Sequence, residues 1–334
     1  MSVVAETAER TALAVNNLAV EIAGRSVIRP VRDVSFDLPA GGRLGLVGES
    51  GSGKSLTALS LMRLLPRQAL IAYGTIELGG VDLATLSERA MAKVRGGRIA
   101  IVYQDPMSSL NPVRTIGDQI VEAIRAHDQV SRSEARRRAI ELLGHVGLPH
   151  AARRFDSYPH QFSGGMRQRV MIAMAVCAGP EILIADEPTT ALDVTTQARI
   201  MDLLDMLVAE RRMAILLITH DLELAGSFCD DIHVMYAGRI VERGAAESTF
   251  ANPIHPYTEA LVASACRLDT DVRSPIPAIP GQPPIPAQLP SGCPFHPRCL
   301  YATPVCSELE PELITVAGDR AAACHYAENR ATGG

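Results

Sequence analysis

The residues Gly48-Glu49-Ser50-Gly51-Ser52-Gly53-Lys54-Ser55 follow the spacing G-x-x-x-x-G-K-[ST], which suits the cradling of phosphate. Glycines let the backbone curl until successive N–H groups point inward at an anion. Lys54 would reach the β- and γ-phosphates of a nucleotide, and the Ser55 hydroxyl would take one position on Mg²⁺. Further along, Ile182-Leu183-Ile184-Ala185 ends on Asp186 and Glu187. A carboxylate at the carboxyl end of a buried parallel strand is placed to partner that metal. Its neighbour points another way and suits a base that orients and deprotonates water. Two carboxylates at a buried strand end repel each other unless a cation joins them. His220 closes another apolar run, Met213 to Thr219, and could contact the γ-phosphate and the water. Ser163-Gly164-Gly165 opens a helical run to Cys177 and makes a second anion-binding helix start. Taken alone, that His is a structural residue and that Ser an ordinary helix cap; both draw their weight from the set.

These residues need elements to hold them. Arg43 to Val47 reads as a short buried strand ahead of the phosphate loop, and Leu56 to Leu65 as a helix behind it, stopped by Pro66. The four fixed loop positions match by accident about one time in a hundred in a chain of this length, and the flanking strand and helix lower that further. Leu13 to Leu38 reads as strands and hairpins, Gly74 to Gly80 as a strand closed by a turn. Arg98 to Tyr103 leads into Gln104-Asp105-Pro106, and Gly117 to Arg154 has helical spacing. After the strand ending on Asp186 come a helix from Thr196 to Glu210, the strand Met213 to Thr219 and a hairpin of Ile232–Tyr236 with Arg239–Glu242. Strands alternating with helices predict an α/β fold with a largely parallel sheet.

The bulk composition narrows the class. The chain has 334 residues, 47% hydrophobic and 21% charged, which is that of a soluble globular protein. A net charge of −5 lacks the basic surplus of a nucleic-acid binder. No apolar run approaches the ~18 residues of a membrane span, and Met1 to Glu9 lacks the features of a signal peptide. The expected location is cytoplasmic, where the seven cysteines would be metal ligands or buried thiols rather than disulfides.

The ordered set GESGSGKS, Gln104, FSGGM, ILIADE, Ala191-Leu192-Asp193 and Thr219-His220 resembles that of the ATP-binding-cassette (ABC) ATPases over residues from about 13 to 250. The resemblance implies a P-loop NTPase with a RecA-like parallel core sheet, an N-terminal antiparallel β subdomain and a helical signature subdomain at about 105–178. It implies Walker A at 48–55 and a Q-loop glutamine at Gln104 that senses Mg²⁺ and a membrane partner. Ser163, Gly164 and Gly165 resemble the signature that binds the γ-phosphate of the opposite subunit's ATP. Asp186 and Glu187 match the Walker B metal partner and catalytic base, Asp193 the D-loop and His220 the switch histidine. ATP and Mg²⁺, the latter through Ser55, Gln104 and Asp186, are the implied cofactors. Two cassettes would sandwich two ATP head to tail. Where the family places an adenine-stacking aromatic, no aromatic occurs between residues 12 and 35, and Arg25 falls near that position. A guanidinium can stack on a base.

Past residue 250 the composition shifts. Nine of the 23 residues from Pro275 to Pro297 are proline, which forbids ordinary helix and disfavours central strand. Asn252 to Thr258, the proline-rich run and Gly292 to Cys299 resemble the extension at 251–334 of dipeptide and oligopeptide importer ATPases, the D-type subunit above all; residues 1–11 read as a loose tail. Cys293, Cys299, Cys306 and Cys324 have C-x5-C-x6-C-x17-C spacing. Thiols at this density favour a soft metal, and the spacing fits neither a paired C-x-x-C zinc ribbon nor the compact ferredoxin run. A [4Fe–4S] cluster, structural Zn²⁺ and unliganded thiols remain the options, and the resemblance points to the cluster. Cys177, Cys229 and Cys266 read as ordinary buried residues.

The resemblance thus implies an ATPase subunit for di- or oligopeptide import on the cytoplasmic face of the cell membrane. Its implied partners are a second homologous ATPase in a head-to-tail heterodimer, two permeases and, indirectly, an extracytoplasmic peptide-binding protein, with no nucleic acid. Rival readings are the same machine with another cargo (nickel, glutathione or a glycoside) and a soluble ABC ATPase of DNA repair or translation.

Overall fold

The computed structural model describes residues 11–24, 27–105, 109–190, 192–265 and 278–332. The tail at 1–10, Arg25, Pro106, Ala191 and Cys266 lie outside the described residues. The chain forms two compact units, one principally of Leu38–Gly42 and Thr85–Leu216, the other of Leu13–Asp37, Arg43–Ala84 and the residues from Leu217 onward.

In the first unit, the strands Ile99–Val102 and Ile182–Asp186 pair in parallel, with Ile99 opposite Ile182 and Val102 opposite Ala185. All five residues of Ile182–Asp186 are buried, which explains why the sequence there is an unbroken apolar run rather than an alternating one. The expected helical insert comprises Ile116–His127, Arg132–His145 and Ala151–Arg154. Ile116, Ile120 and Ile124 recur every four residues and are buried along one helix face. Gly117 is required at that face, because a Cβ there would lie 2.4 Å from the Phe155 ring. The next helix, Gly164–Val176, starts at Ser163 as expected. The helix Val194–Arg211 begins two residues earlier than apolar periodicity suggested. Asp193 caps it, accepting a hydrogen bond from the Thr196 N–H, and a cap acts ahead of the periodic face.

In the second unit a four-stranded sheet has the order Ile28–Pro39, Thr11–Ile22, Ala69–Leu78, Val81–Asp82, the last two junctions antiparallel. A separate set of strands carries the phosphate loop. Arg43–Val47 pairs in parallel with Asp231–Tyr236, which pairs antiparallel with Arg239–Ala245, the expected hairpin. That sheet does not stop there. Arg320–Ala322 adds antiparallel to Arg239–Ala245, and Ile314–Ala317 adds to it in turn. The C-terminal extension is therefore woven into the sheet edge. From Ala278 to Phe295 the chain holds neither helix nor strand, as its prolines demand.

The helix after the loop runs over Lys54–Leu61 and stops short of the expected Leu65. Arg63 adopts a left-handed φ of 49°, while the Leu64 N–H reaches back to the Leu59 carbonyl and the Arg63 N–H to Ser60. This is a Schellman ending, closed before Pro66 can act.

Candidate nucleotide site

In the second unit, the loop Gly48–Ser55 curls because its glycines take conformations that other residues avoid. Gly48 has φ 149° and Gly53 φ 107°. A Cβ on Gly48 would lie 2.2 Å from the Met235 carbonyl oxygen, and one on Gly53 would lie 2.6 Å from that of Pro30. No side chain fits at either position. The Ser52 carbonyl accepts from the Gly238 N–H, which ties the loop to the turn of the 231–245 hairpin. Lys54 is buried, and its Nζ donates to the carbonyls of Gly48 at 2.7 Å and Glu49 at 2.9 Å, and to Ser52 Oγ at 3.3 Å. The ammonium is thus held within the loop, at the start of the helix whose N-terminal end is positive. Ser55 is exposed one residue on. His220 is exposed directly after the strand Ala214–Thr219, and Asp221 then caps the helix Leu222–Phe228.

In the first unit, Asp186 is buried at the end of its strand. Glu187 follows with φ 48°, a left-handed conformation that costs a non-glycine residue about 1–3 kcal/mol and persists only where the surrounding structure over-determines it. The Glu187 Oε2 accepts from Gln104 Nε2 at 2.8 Å and from Thr190 Oγ1 at 2.9 Å. The structure thereby joins two residues that the sequence places 83 positions apart. Ser163 caps Gly164–Val176, its Oγ accepting from the Met166 N–H at 3.4 Å. Ser163 and Gly164 are exposed. A Cβ on Gly165 would lie 2.3 Å from Thr196 Cγ2, and one on Gly164 3.3 Å from Leu192 Cδ2. The paired glycines therefore let this helix start lie close against the Asp193 turn. Hydrogen bonds from Thr195 Oγ1, Thr196 Oγ1 and the Thr196 N–H hold the Asp193 carboxyl well below the usual range.

In the extension, Cys293, Cys299, Cys306 and Cys324 all line one cavity of about 370 Å³. Burial pushes the Cys293 thiol up to about 11, helped by the neighbouring Cys306, Cys324 and Cys299. Among the described residues, no three His, Cys, Asp or Glu side chains converge in a way that would hold a metal ion. Cys229 is buried and Cys177 partly so.

Three attachments of the extension escaped sequence reasoning. Arg298 grips both carboxylate oxygens of Glu49, at 2.7 and 2.9 Å. Tyr257 Oη accepts from the Glu49 N–H at 2.8 Å. The wholly buried Glu242 accepts from the N–H groups of Ile254 and His255, each at 2.8 Å. The charged Glu49 inside a phosphate loop was the one available signal, since a carboxylate beside phosphates calls for a cation.

The family described as "ABC transporter" matches residues 31–190, and the "Oligopeptide/dipeptide transporter, C-terminal region" matches residues 241–306. A protein of Brucella abortus (strain 2308), named for peptide import and ATP binding, is 50% identical over 313 residues, covering 93% of this chain and 94% of its own. The oligopeptide transport ATP-binding protein OppD of Escherichia coli (strain K12) is 48% identical over 284 residues, covering 85% of this chain and 84% of its own. Among solved structures, a dimeric post-hydrolysis state of the ATP-binding cassette MJ0796 bound to ADP and Pi matches with TM-score 0.63 and 28% identity, over 70% of this chain and 98% of that one. CbiO1 of Clostridium perfringens, part of the CbiONQ transporter complex, matches with TM-score 0.63 and 27% identity, over 73% and 92%.

Proposed function

Because the chain belongs to the ABC transporter ATP-binding proteins of the oligopeptide and dipeptide import family, we propose roles for its individual residues within an ATPase that powers peptide import. The observation that carries this reading is the join of two features in one unit: a phosphate loop with a buried Lys54, and the peptide-transporter extension built onto the sheet that bears it.

The loop N–H groups and Lys54 bind the triphosphate. Ser55, the Gln104 amide oxygen and Asp186 would supply hard oxygen donors, the kind Mg²⁺ prefers, and the metal would neutralise charge developing on the phosphates. Glu187 accepts the proton of the attacking water, and His220 contacts the γ-phosphate. The pair of donors on Glu187 Oε2 fixes the orientation of the carboxylate that would take that proton. Replacing Lys54 with Ala should abolish saturable ATP binding; a Lys54→Ala chain that binds and hydrolyses ATP like the parent overturns the assignment of the loop.

Ser163, Gly164 and Gly165 close the site of a second cassette, with Asp193 at the same junction. The exposure of Ser163 and Gly164 at a helix start supports this. The second cassette is a related ATPase, and the pair works head to tail on two permeases fed by an extracytoplasmic binding protein. No helix among the described residues is long and apolar enough to cross a membrane, which suits a subunit lying on the cytoplasmic face. We take residues to 11 as a tail, 12–250 as the cassette and 251–334 as the extension, a division supported by the family matches at 31–190 and 241–306.

At the cysteine cavity, four thiols line about 370 Å³, and soft donors of this kind serve both iron–sulfur clusters and structural zinc. Cys293, Cys299, Cys306 and Cys324 would hold a [4Fe–4S] group, which would tie together the segments that carry them. Anaerobic purification should yield about four iron and four sulfide per chain; stoichiometric zinc, or no metal, overturns this.

A further inference from the structure

We propose that Arg298 and Tyr257, both in the C-terminal extension, are positioning residues for the phosphate loop, acting through Glu49. The inference rests on Gly48–Ser55 being the nucleotide loop.

Glu49 is the second residue of that loop, and the extension holds it by both its main chain and its side chain. Its N–H donates to Tyr257 Oη, and its carboxylate accepts a two-pronged bond from Arg298 Nη1 and Nη2. A forked guanidinium–carboxylate pair fixes orientation as well as distance. The Arg298 side chain is only 4% exposed, and its remaining bonds go to Pro280 and Tyr236: Nε donates to the Pro280 carbonyl at 2.8 Å and Nη1 reaches Tyr236 Oη at 3.3 Å. Tyr257 is fully buried, its ring 4.5 Å from that of Tyr236 and 5.4 Å from that of Phe295. The clamp is therefore built from packed groups, and neither residue can follow the loop if it strays.

Electrostatics gives the clamp a second task. Glu49 sits beside the place that receives a triphosphate, and an unpaired carboxylate there would repel it. Arg298 cancels that charge without entering the phosphate cradle, where Lys54 is the cation. Arg298 also follows Cys293 and precedes Cys299 on the turn His296–Arg298. A change in the fold of the cysteine-bearing segment is thus felt at the loop through one side chain.

The test is the affinity of the full-length chain for MgATP, read by titration with a fluorescent ATP analogue. Arg298→Ala should weaken binding about tenfold, the scale of losing a hydrogen-bonded charge partner, and Arg298→Lys should fall between. Adding Glu49→Gln to Arg298→Ala should recover most of the loss, because the repelling carboxylate is gone; a purely structural role for Arg298 would leave the double variant as weak as the single one. Tyr257→Phe, which keeps the ring and removes only the hydroxyl, should raise the Kd a few-fold with little change in thermal midpoint, and so tests the clamp even if Arg298→Ala folds poorly. Wild-type affinity in both Arg298→Ala and Tyr257→Phe, or a double variant no tighter than Arg298→Ala, overturns the proposal. Lys54→Ala separates the premises: if it binds MgATP normally the loop assignment is wrong, whereas loss there with normal Arg298→Ala binding rejects the clamp alone.

Discussion

The helices Lys54–Leu61 and Gly164–Val176 both begin at glycines that the surrounding packing requires, but they are finished in opposite ways. At the first, the chain supplies everything around the loop: Lys54 folded onto its carbonyls, the 231–245 hairpin beneath, and Arg298 with Tyr257 on Glu49. At the second, Ser163 and Gly164 lie exposed, and the neighbouring Asp193 is braced by its own threonines. One helix start is a cradle completed from within. The other is left open at the surface. On the proposed function, a protein built this way would bind nucleotide alone and turn it over in company.

The sharpest way to break that contrast is at the chemistry. Glu187→Gln should lower steady-state ATP hydrolysis of the assembled transporter on the order of 10³-fold while MgATP affinity stays near that of the parent. Normal turnover in this variant would remove Glu187 as the base. A smaller effect probes why the open helix start needs glycine. Gly165→Ala drives a methyl against Thr196 Cγ2 and should cost about 1–3 kcal/mol in denaturant unfolding. Adding Thr196→Ser removes the opposing methyl and should restore much of the loss; no restoration would show that the close approach is not what selects glycine. The smallest effect concerns Asp193. Its folded carboxyl titrates below the ordinary value, so its contribution is present above the unfolded value near 4 and is lost as pH falls toward the folded one. Asp193→Asn keeps an acceptor for the Thr196 N–H and should flatten the fall of the thermal midpoint on that acid side. An unchanged acid slope would count against the threonine bracing.

The parts legible in the sequence are those whose cause is local. The Gly48–Ser55 curl, the apolar strand ending on Asp186, the Ser163 cap and the 231–245 hairpin each follow from neighbouring residues, and each is where those residues put it. The helix ends were less legible, because Arg63 rather than Pro66 closes one and Asp193 opens another ahead of its apolar face. What could not be read is through-space. Arg298 lies 249 residues from Glu49, and no period or spacing connects them. The short strands Ile314–Ala317 and Arg320–Ala322 carry little apolar patterning and become strands by adding to an existing edge. Glu242 ends the expected hairpin strand, and its burial follows from the N–H groups of Ile254 and His255 that dock on it from the extension.

The claim that this chain's signature helix serves a site in another subunit is tested most directly by replacing Ser163 with Arg and measuring two quantities on the same preparation. The isolated Ser163→Arg chain should bind MgATP as the parent does, while the transporter assembled with it should lose ATP hydrolysis. A Ser163→Arg chain whose own MgATP affinity collapses as it does in Lys54→Ala, or whose transporter hydrolyses ATP normally, would contradict it.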